Sequence, residues 1–170
     1  YNLKIDQGQA TDQFIRLTVD KGAVKTGAKA EIDRQGYLLE ITPSAIEIKG
    51  NSEQGLFYGV QTLVQLVKQN SPGNFLLPGC TIKDWPSGQL RVLHWDTKHH
   101  QDRLATLKRY LDWTARFKVN MIGFELEDKF AYPSHPVIGA PGAFTTEELQ
   151  EIIDYAQERY IQVIPQIQSP

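Results

Sequence analysis

The sequence predicts an α/β fold in two parts. Short runs in which apolar and polar residues alternate dominate the region before residue 86, and one helical apolar stripe lies between them. After Pro86 the pattern changes to strand, helix, strand, helix, strand, which is typical of a parallel sheet with right-handed crossovers. We therefore place a two-layer sheet-plus-helix domain over residues 1–85 and a second domain over residues 86–170.

Composition narrows the class of protein. The 170 residues, of which 41% are hydrophobic, can bury one sizeable core or two small ones. A net charge of −2 without a basic stripe argues against a nucleic-acid partner. No apolar run reaches the roughly 18 residues that span a bilayer, and no signal peptide is visible after Tyr1. The one cysteine, Cys80, has apolar neighbours and is expected to be a small buried residue rather than a reactive thiol.

The first part reads as strands, a hairpin and one helix. Residues 2–5 and 14–19 are candidate strands, with a loop over residues 21–30. Residues 36–50 predict a hairpin, because apolar side chains alternate on both sides of Pro43, a residue that suits the second position of a type I turn.

The helix of the first part is expected over residues 51–69, and an extended segment follows over residues 75–86. Asn51 or Ser52 can cap this helix. Gly55 and Gly59 are poor helix formers, so we expect them where the helix packs closely on the sheet. The apolar stripe consists of Leu56, Val60, Leu63 and Val67.

The second part alternates strands with helices. Strands are expected over residues 91–96, 120–126 and 161–167. One helix, over residues 101–117, has Asp102 as its candidate cap; the other, over residues 145–160, starts with the capping-box spacing of Thr145 and Glu148. Three strands and two helices do not close a (β/α)8 barrel, which needs about 250 residues. The part is therefore either a small open-sheet domain or a piece of a longer protein.

A family resemblance appears in four segments. Residues 36–67, with Gly-Leu-Phe-Tyr-Gly-Val-Gln-Thr-Leu at positions 55–63, resemble the non-catalytic N-terminal domain of glycoside hydrolase family 20, the β-N-acetylhexosaminidases. Residues 82–100 resemble the first barrel strand of that family, residues 117–128 its second strand, and residues 142–170 its second helix and third strand. The resemblance implies an α+β accessory domain followed by the β-α-β-α-β start of a truncated (β/α)8 TIM barrel.

The resemblance also implies a reaction. These enzymes remove terminal β-linked N-acetylhexosamine with retention, and the acetamido oxygen of the substrate replaces an enzyme nucleophile. A Glu acts as general acid, and a preceding Asp orients the acetamido group. That pair lies on the fourth barrel strand, so we expect the catalytic residues beyond Pro170 and no hydrolase activity in the isolated chain. Glu127 and Asp128 stand in the reverse order on the second strand and are not given these roles.

Four residues are candidate substrate-binding residues. Arg91 resembles the family arginine that binds sugar hydroxyls, and its guanidinium offers five donors. Asp96 matches the aspartate of the first strand, while Glu127 and Asp128 end the second strand. The alternatives are a surface or interface arginine and a structural carboxylate. Arg91 and Asp96 have opposite strand parity, so a bulge must intervene or the arginine must stand at the start of the strand.

The four histidines do not form a recognisable metal motif. His94, His99 and His100 crowd around Asp96, but no spacing typical of zinc sites is present. We therefore expect no metal and no cofactor. Glu125 stands where the family often has a histidine, which indicates a divergent subgroup.

Two other functions stay open: a non-catalytic carbohydrate-binding or scaffolding module, and an O-GlcNAcase-like or α-glucuronidase-like hydrolase. The expected partner is a carbohydrate or glycoconjugate, and the open barrel edge predicts self-association of the isolated chain. Family resemblance favours a periplasmic or secreted location over a cytoplasmic one, although no residue decides the compartment.

Overall fold

The computed structural model describes residues 13–97 and 100–168. The chain divides into two compact units, Tyr1–Ser87 and Gly88–Pro170, and each unit combines helices with a sheet. The strand that the sequence predicts over residues 2–5 lies outside the described residues. Among the helices that are described, none is both long and apolar enough to cross a membrane.

The first unit is a four-stranded sheet covered by a helix. The elements are β1 (Phe14–Val19), α1 (Ala30–Asp33), β2 (Tyr37–Ile41), β3 (Ala45–Gly50), α2 (Glu53–Leu66), β4 (Lys68–Ser71), β5 (Asn74–Leu76) and β6 (Cys80–Asp84). The strand order is β1-β3-β2-β6, with β1 parallel to β3 and the other neighbours antiparallel. The strand at residues 14–19, the hairpin and the long helix are confirmed. The short helix α1 and the two-stranded ribbon β4-β5 were not predicted.

The core of the first unit lies between α2 and the β2-β3 hairpin. The alternation read from the sequence places one face of β2 inside, together with Ile48 of β3. Two residues of α2, Tyr58 and Leu63, meet this face. Ser52 caps α2, since its Oγ accepts from the Gly55 amide at 3.4 Å.

Two glycines let α2 approach the sheet. A Cβ on Gly59 would lie 2.4 Å from Cγ2 of Ile48, and one on Gly55 would lie 2.3 Å from the carbonyl oxygen of Gly36. Both distances are too short, so a larger residue requires the backbone to move at Gly55 and the neighbouring side chains to move at Gly59. The predicted close packing at these glycines is confirmed.

A buried tyrosine ties β2 to β6 and α2. The Tyr37 hydroxyl donates to Oδ2 of Asp84 at 2.8 Å and lies 2.6 Å from Oγ1 of Thr62. Burial raises the pKa of Tyr37 far above its ordinary value, and Asp84 adds to this. The stabilisation from this protonated hydroxyl is therefore complete below the pKa of an unfolded tyrosine, about 10, and is lost as the pH rises beyond it.

The second unit is a three-stranded parallel sheet with two crossover helices. The elements are β7 (Val92–Asp96), α3 (Leu104–Arg116), β8 (Met121–Glu125), α4 (Thr146–Gln157) and β9 (Gln162–Gln166). The strand order is β7-β8-β9. These strands and helices are those that the sequence predicts, and a 3-10 helix over Glu127–Lys129 begins the loop after β8.

Of the two helix caps predicted for the second unit, one is confirmed and the other is wrong. Thr145 and Glu148 form the capping box in both directions, at 3.2 and 3.0 Å. Asp102 does not cap α3, because the helix begins later and Arg103 is its N-cap. The Asp102 carboxylate instead lies 3.2 Å from Nε2 of His100.

Both helices pack on one face of the parallel sheet. Trp95 and Phe124 are buried there with ring centroids 5.5 Å apart, and Trp95 also meets Tyr110 of α3. Side chains join α3 to α4, since Nε of Arg159 lies 2.8 Å from Asp112 while its guanidinium stacks 3.4 Å over the Tyr155 ring.

A Gly55→Ala substitution tests the close approach of α2. The new methyl group would overlap the Gly36 carbonyl, and overpacking of this kind costs about 1 to 3 kcal/mol of unfolding free energy. Gly79→Ala is the matched control, because its Cβ would meet only the Ile41 oxygen at 3.6 Å. Urea unfolding that shows equal stability for both variants would contradict the packing described here.

Candidate functional site

The candidate site lies at the carboxyl edge of the parallel sheet. The three strands end in register at Asp96, Glu125 and Gln166. Two further bonds hold the edge together: Oγ1 of Thr97 donates to the Glu125 carbonyl at 2.7 Å, and the Leu126 amide donates to the Gln166 carbonyl at 3.1 Å. In parallel α/β sheets this is the edge at which ligands bind.

Three of the four predicted substrate-binding residues lie at this edge. Asp96 is the last residue of β7 and is exposed. Glu127 and Asp128 follow β8 directly in the 3-10 helix. The sequence therefore predicted carboxylates at the edge where the strands end.

Arg91 lies at the opposite edge. It precedes the first residue of β7, and at about 3.3 Å per residue the strand separates it from Asp96. Its Nε donates to the Lys118 carbonyl at 2.6 Å and its Nη1 to the Gly88 carbonyl at 3.0 Å. Its own amide donates to Oδ1 of Asn120 at 2.8 Å. The parity conflict is thus settled by an arginine at the start of the strand, and the structure does not bring Arg91 and Asp96 together.

The loop after β8 is folded rather than open. The Tyr132 hydroxyl donates to the Glu127 carbonyl at 2.9 Å, and the Ala140 amide donates to the Asp128 carbonyl at 2.8 Å. The Lys129 ammonium lies 2.7 Å from Oδ1 of Asp128 and is largely shielded from solvent. Glu127 has a φ of 43°, a left-handed value that is uncommon for residues other than glycine. The carboxylates of this loop are therefore held by a defined backbone.

A buried acid that sequence reasoning did not assign lies beside these residues. Glu125 has no exposed surface, and its Oε2 lies 3.0 Å from Nε2 of His94. The two side chains share a sheet face with Asp96, because registered residues of parallel strands point the same way. The sequence signal was available: His94 and Asp96 have one parity, and Glu125 is a charge inside a strand.

The described residues, 13–97 and 100–168, can be searched for a metal site. Among them no group of three or more His, Cys, Asp or Glu side chains is arranged to hold a metal ion. Of the histidines near Asp96, His94 meets Glu125 and His100 meets Asp102. His99 lies outside the described residues.

Comparisons with known proteins point to one family. The model described as "Glycosyl hydrolase family 20, domain 2" matches residues 2–85. A β-hexosaminidase of Porphyromonas gingivalis is 32% identical over 162 residues, which is 82% of this chain and 21% of that protein.

Solved structures agree across both units. A glycoside hydrolase family 20 β-N-acetylhexosaminidase from Streptomyces coelicolor A3(2) matches 95% of this chain and 35% of its own, with a TM-score of 0.78 and 29% identity. An N-acetyl-β-hexosaminidase from Streptomyces plicatus matches 92% of this chain and 34% of its own, with a TM-score of 0.76 and 32% identity. The chain thus spans about a third or less of the proteins it resembles.

Substitution of two arginines separates a structural role from an exposed one. In the full-length protein, Arg91→Ala removes the donors to two backbone carbonyls, and we expect a loss of about 1 to 3 kcal/mol of unfolding free energy. Arg109→Ala changes an exposed arginine of α3 and is expected to stay within about 0.5 kcal/mol of the parent protein. Thermal unfolding measures both, and an unchanged melting temperature for Arg91→Ala would contradict its structural contacts.

Proposed function

Because the chain is a β-N-acetylhexosaminidase-like protein of glycoside hydrolase family 20, we propose that the full-length protein removes terminal β-linked N-acetylhexosamine from a carbohydrate or glycoconjugate. The observation that carries the proposal is that the likeness to β-hexosaminidases runs through both structural units. The carboxylates at the edge of the parallel sheet support it, because barrel enzymes bind substrate at that edge.

The proposed architecture has two domains. Residues 1–85 form the accessory domain, which the domain 2 match over residues 2–85 supports. Residues 86–170 form the first three strands of a TIM barrel, which the parallel order β7-β8-β9 with its crossover helices supports. The remaining strands then supply the catalytic Glu and its Asp partner from outside this chain, in which no Asp-Glu dipeptide occurs.

The proposed sugar contacts follow from charge and position. Ionised carboxylates accept hydrogen bonds and do not donate them, so Asp96, Glu127 and Asp128 suit the hydroxyl donors of a sugar ring. Arg91 is proposed as a donor to sugar hydroxyls on the family resemblance alone, because it lies at the opposite edge of the sheet from these carboxylates. To reach a sugar, its guanidinium would have to exchange the Gly88 carbonyl, its more exposed partner, for a sugar oxygen.

The proposed reaction is substrate-assisted hydrolysis with retention. The acetamido oxygen attacks the anomeric carbon from within the bound sugar, and its prior attachment removes the entropy cost of bringing a nucleophile to the carbon. A carboxylic acid protonates the leaving oxygen. This route uses no cofactor, because the substrate carries its own nucleophile.

A pair of chromogenic substrates tests the reaction. The full-length protein is expected to hydrolyse 4-nitrophenyl N-acetyl-β-D-glucosaminide at least about 100-fold faster than 4-nitrophenyl β-D-glucoside, which lacks the acetamido nucleophile. The 170-residue chain alone is expected to hydrolyse neither substrate. Equal rates on both substrates would rule out substrate assistance. Sugar binding without turnover by the full-length protein would favour a non-catalytic carbohydrate-binding module.

We also propose that the 170-residue chain self-associates when it is produced alone. Apolar side chains of β7, β9 and the residue after β9 are exposed: Val92 by 55%, Ile164 by 40% and Ile167 by 60%. Burial of such surface is favourable at about 25 cal/mol per Å². Sedimentation velocity is expected to show species larger than a monomer, and a clean monomer at high concentration would contradict this.

A further inference from the structure

The sides of α3 and α4 that point away from the sheet carry opposite charges. Leu111 of α3 and Ile152 of α4 are fully buried. Residues two positions from a buried helical residue lie about 200° around the helix, on its outward side. Arg109 and Trp113 hold these positions on α3, and Asp154 holds one on α4; all three are exposed. In sequence, α3 contains three basic residues and one acid, whereas α4 contains four acids and no basic residue.

The outward side of α3 is aromatic as well as basic. Trp113 is 54% exposed, and the guanidinium carbon of Arg116 lies 4.8 Å from the centroid of its ring. Tyr110 and Phe117 border this pair and are exposed. Tryptophan, tyrosine and arginine are the residues that are enriched where proteins bind each other. Arg109, Tyr110, Trp113, Arg116 and Phe117 are here called the basic face.

The outward side of α4 is an open acidic groove. Two basic residues reach its border: Lys108 forms an ion pair with Glu151, and Nη1 of Arg159 lies 3.5 Å from Glu158. Because these two cations meet four exposed carboxylates, the groove keeps a negative charge. The four residues, here called the acidic face, are Glu147, Glu151, Asp154 and Glu158.

Both faces stay outward when a barrel is completed. In the proposed architecture, further strands join the sheet beside β7 and β9, and further helices lie beside α3 and α4. Neither addition covers the side of a helix that points away from the sheet. An exposed aromatic surface at such a place indicates a contact with another molecule.

The alignment of α3 with α4 shows how a second copy fits. Lys108 bonds Glu151, and the Tyr155 hydroxyl donates to Asp112 at 3.1 Å, so each residue of α3 lies level with the residue 43 positions later in α4. The two helices run in the same direction, as crossover helices of a parallel sheet do. A twofold axis between them and parallel to both keeps these levels, and it places α3 of each copy on α4 of the other.

We propose that two copies of the full-length protein form a twofold dimer in which the basic face of each copy docks on the acidic face of the other. At the shared level, Arg109 pairs with Asp154 of the second copy, and Trp113 enters the groove between Asp154 and Glu158. Charge complementarity selects the second copy as the occupant, because one chain carries both faces side by side. The inference does not rest on the proposed reaction.

The size of the contact predicts a weak dimer. Each helix is about 20 Å long and the pair is about 20 Å wide, which gives about 400 Å² per copy. Interfaces of this size belong to transient complexes, so we expect dimers well above about 10 µM and monomers well below it. Because the paired charges are exposed, an increase of NaCl from about 0.05 to about 0.5 M is expected to weaken dimerisation at least about tenfold.

Charge reversal tests the pairing in the full-length protein. Arg109→Glu and Asp154→Arg are each expected to weaken dimerisation at least about tenfold in sedimentation equilibrium, because each variant brings like charges together twice. An equimolar mixture of the two variants is expected to associate like the parent protein, since both contacts of the mixed dimer again join opposite charges. A change of fold within one chain does not produce this recovery.

Trp113→Ser removes the aromatic centre of the contact and is expected to weaken dimerisation at least about tenfold. Phe75→Ser and Lys68→Glu are the matched controls, because they change an exposed aromatic and an exposed basic residue of the first unit. Both controls are expected to associate like the parent protein. At about 1 µM, where monomers dominate, all variants are expected to keep the melting temperature of the parent protein.

Three results would overturn the dimer. The first is a parent protein that stays monomeric at about 100 µM in low salt. The second is parent-like association of Trp113→Ser, which would assign self-association to another surface; this variant decides the matter if a charge-reversal variant does not fold. The third is a mixture of folded reversal variants that associates no better than its components. Binding of a monomeric parent protein to phosphatidylglycerol vesicles would assign the basic face to an anionic lipid surface instead.

Discussion

The register of the three parallel strands is the constraint on which the second unit depends. It aligns Asp96, Glu125 and Gln166 at one edge. A shift by a single residue would move Glu125 into the aromatic layer around Trp95 and would turn Phe124 toward the opposite face of the sheet. The Thr97 hydroxyl and the Leu126 amide bind across the strand ends and oppose such a shift. The common position of Asp96, Glu125 and Gln166 therefore follows from the pairing of β8 with its two neighbours.

The same pairing explains how the fold accommodates a buried acid. An unpaired carboxylate at full burial would cost several kcal/mol, and the register brings His94 to within 3.0 Å of Glu125 from the neighbouring strand. The carboxyl edge thus combines the exposed Asp96, the half-buried Glu127 and Asp128 of the following loop, and the fully buried Glu125.

Much of this organisation was predictable from sequence because it depends on local patterns. The apolar alternation of residues 36–50 predicted the hairpin, and the spacing of Thr145 and Glu148 predicted the cap of α4. Each of these features is determined by residues that are close together in the sequence.

The features that were not predicted depend on contacts between residues that are far apart in the sequence. Asp102 has the right chemistry for a cap, but the start of α3 decides which residue takes that role. The ribbon β4-β5 consists of two short strands whose residues are all exposed, so they show no alternation between buried and exposed positions. The meeting of His94 with Glu125 requires the register of β7 against β8, which a single sequence does not state. Of the histidines near Asp96 that the structure describes, His94 faces Glu125 and His100 faces Asp102.

A crystal structure of the full-length protein with bound N-acetylglucosamine tests the central claim most directly. The account predicts that the sugar lies at the carboxyl edge of β7 and β8, with a hydroxyl within hydrogen-bonding distance of Asp96. Sugar density at another edge of the sheet or on the first unit, with this edge empty of sugar, would contradict it.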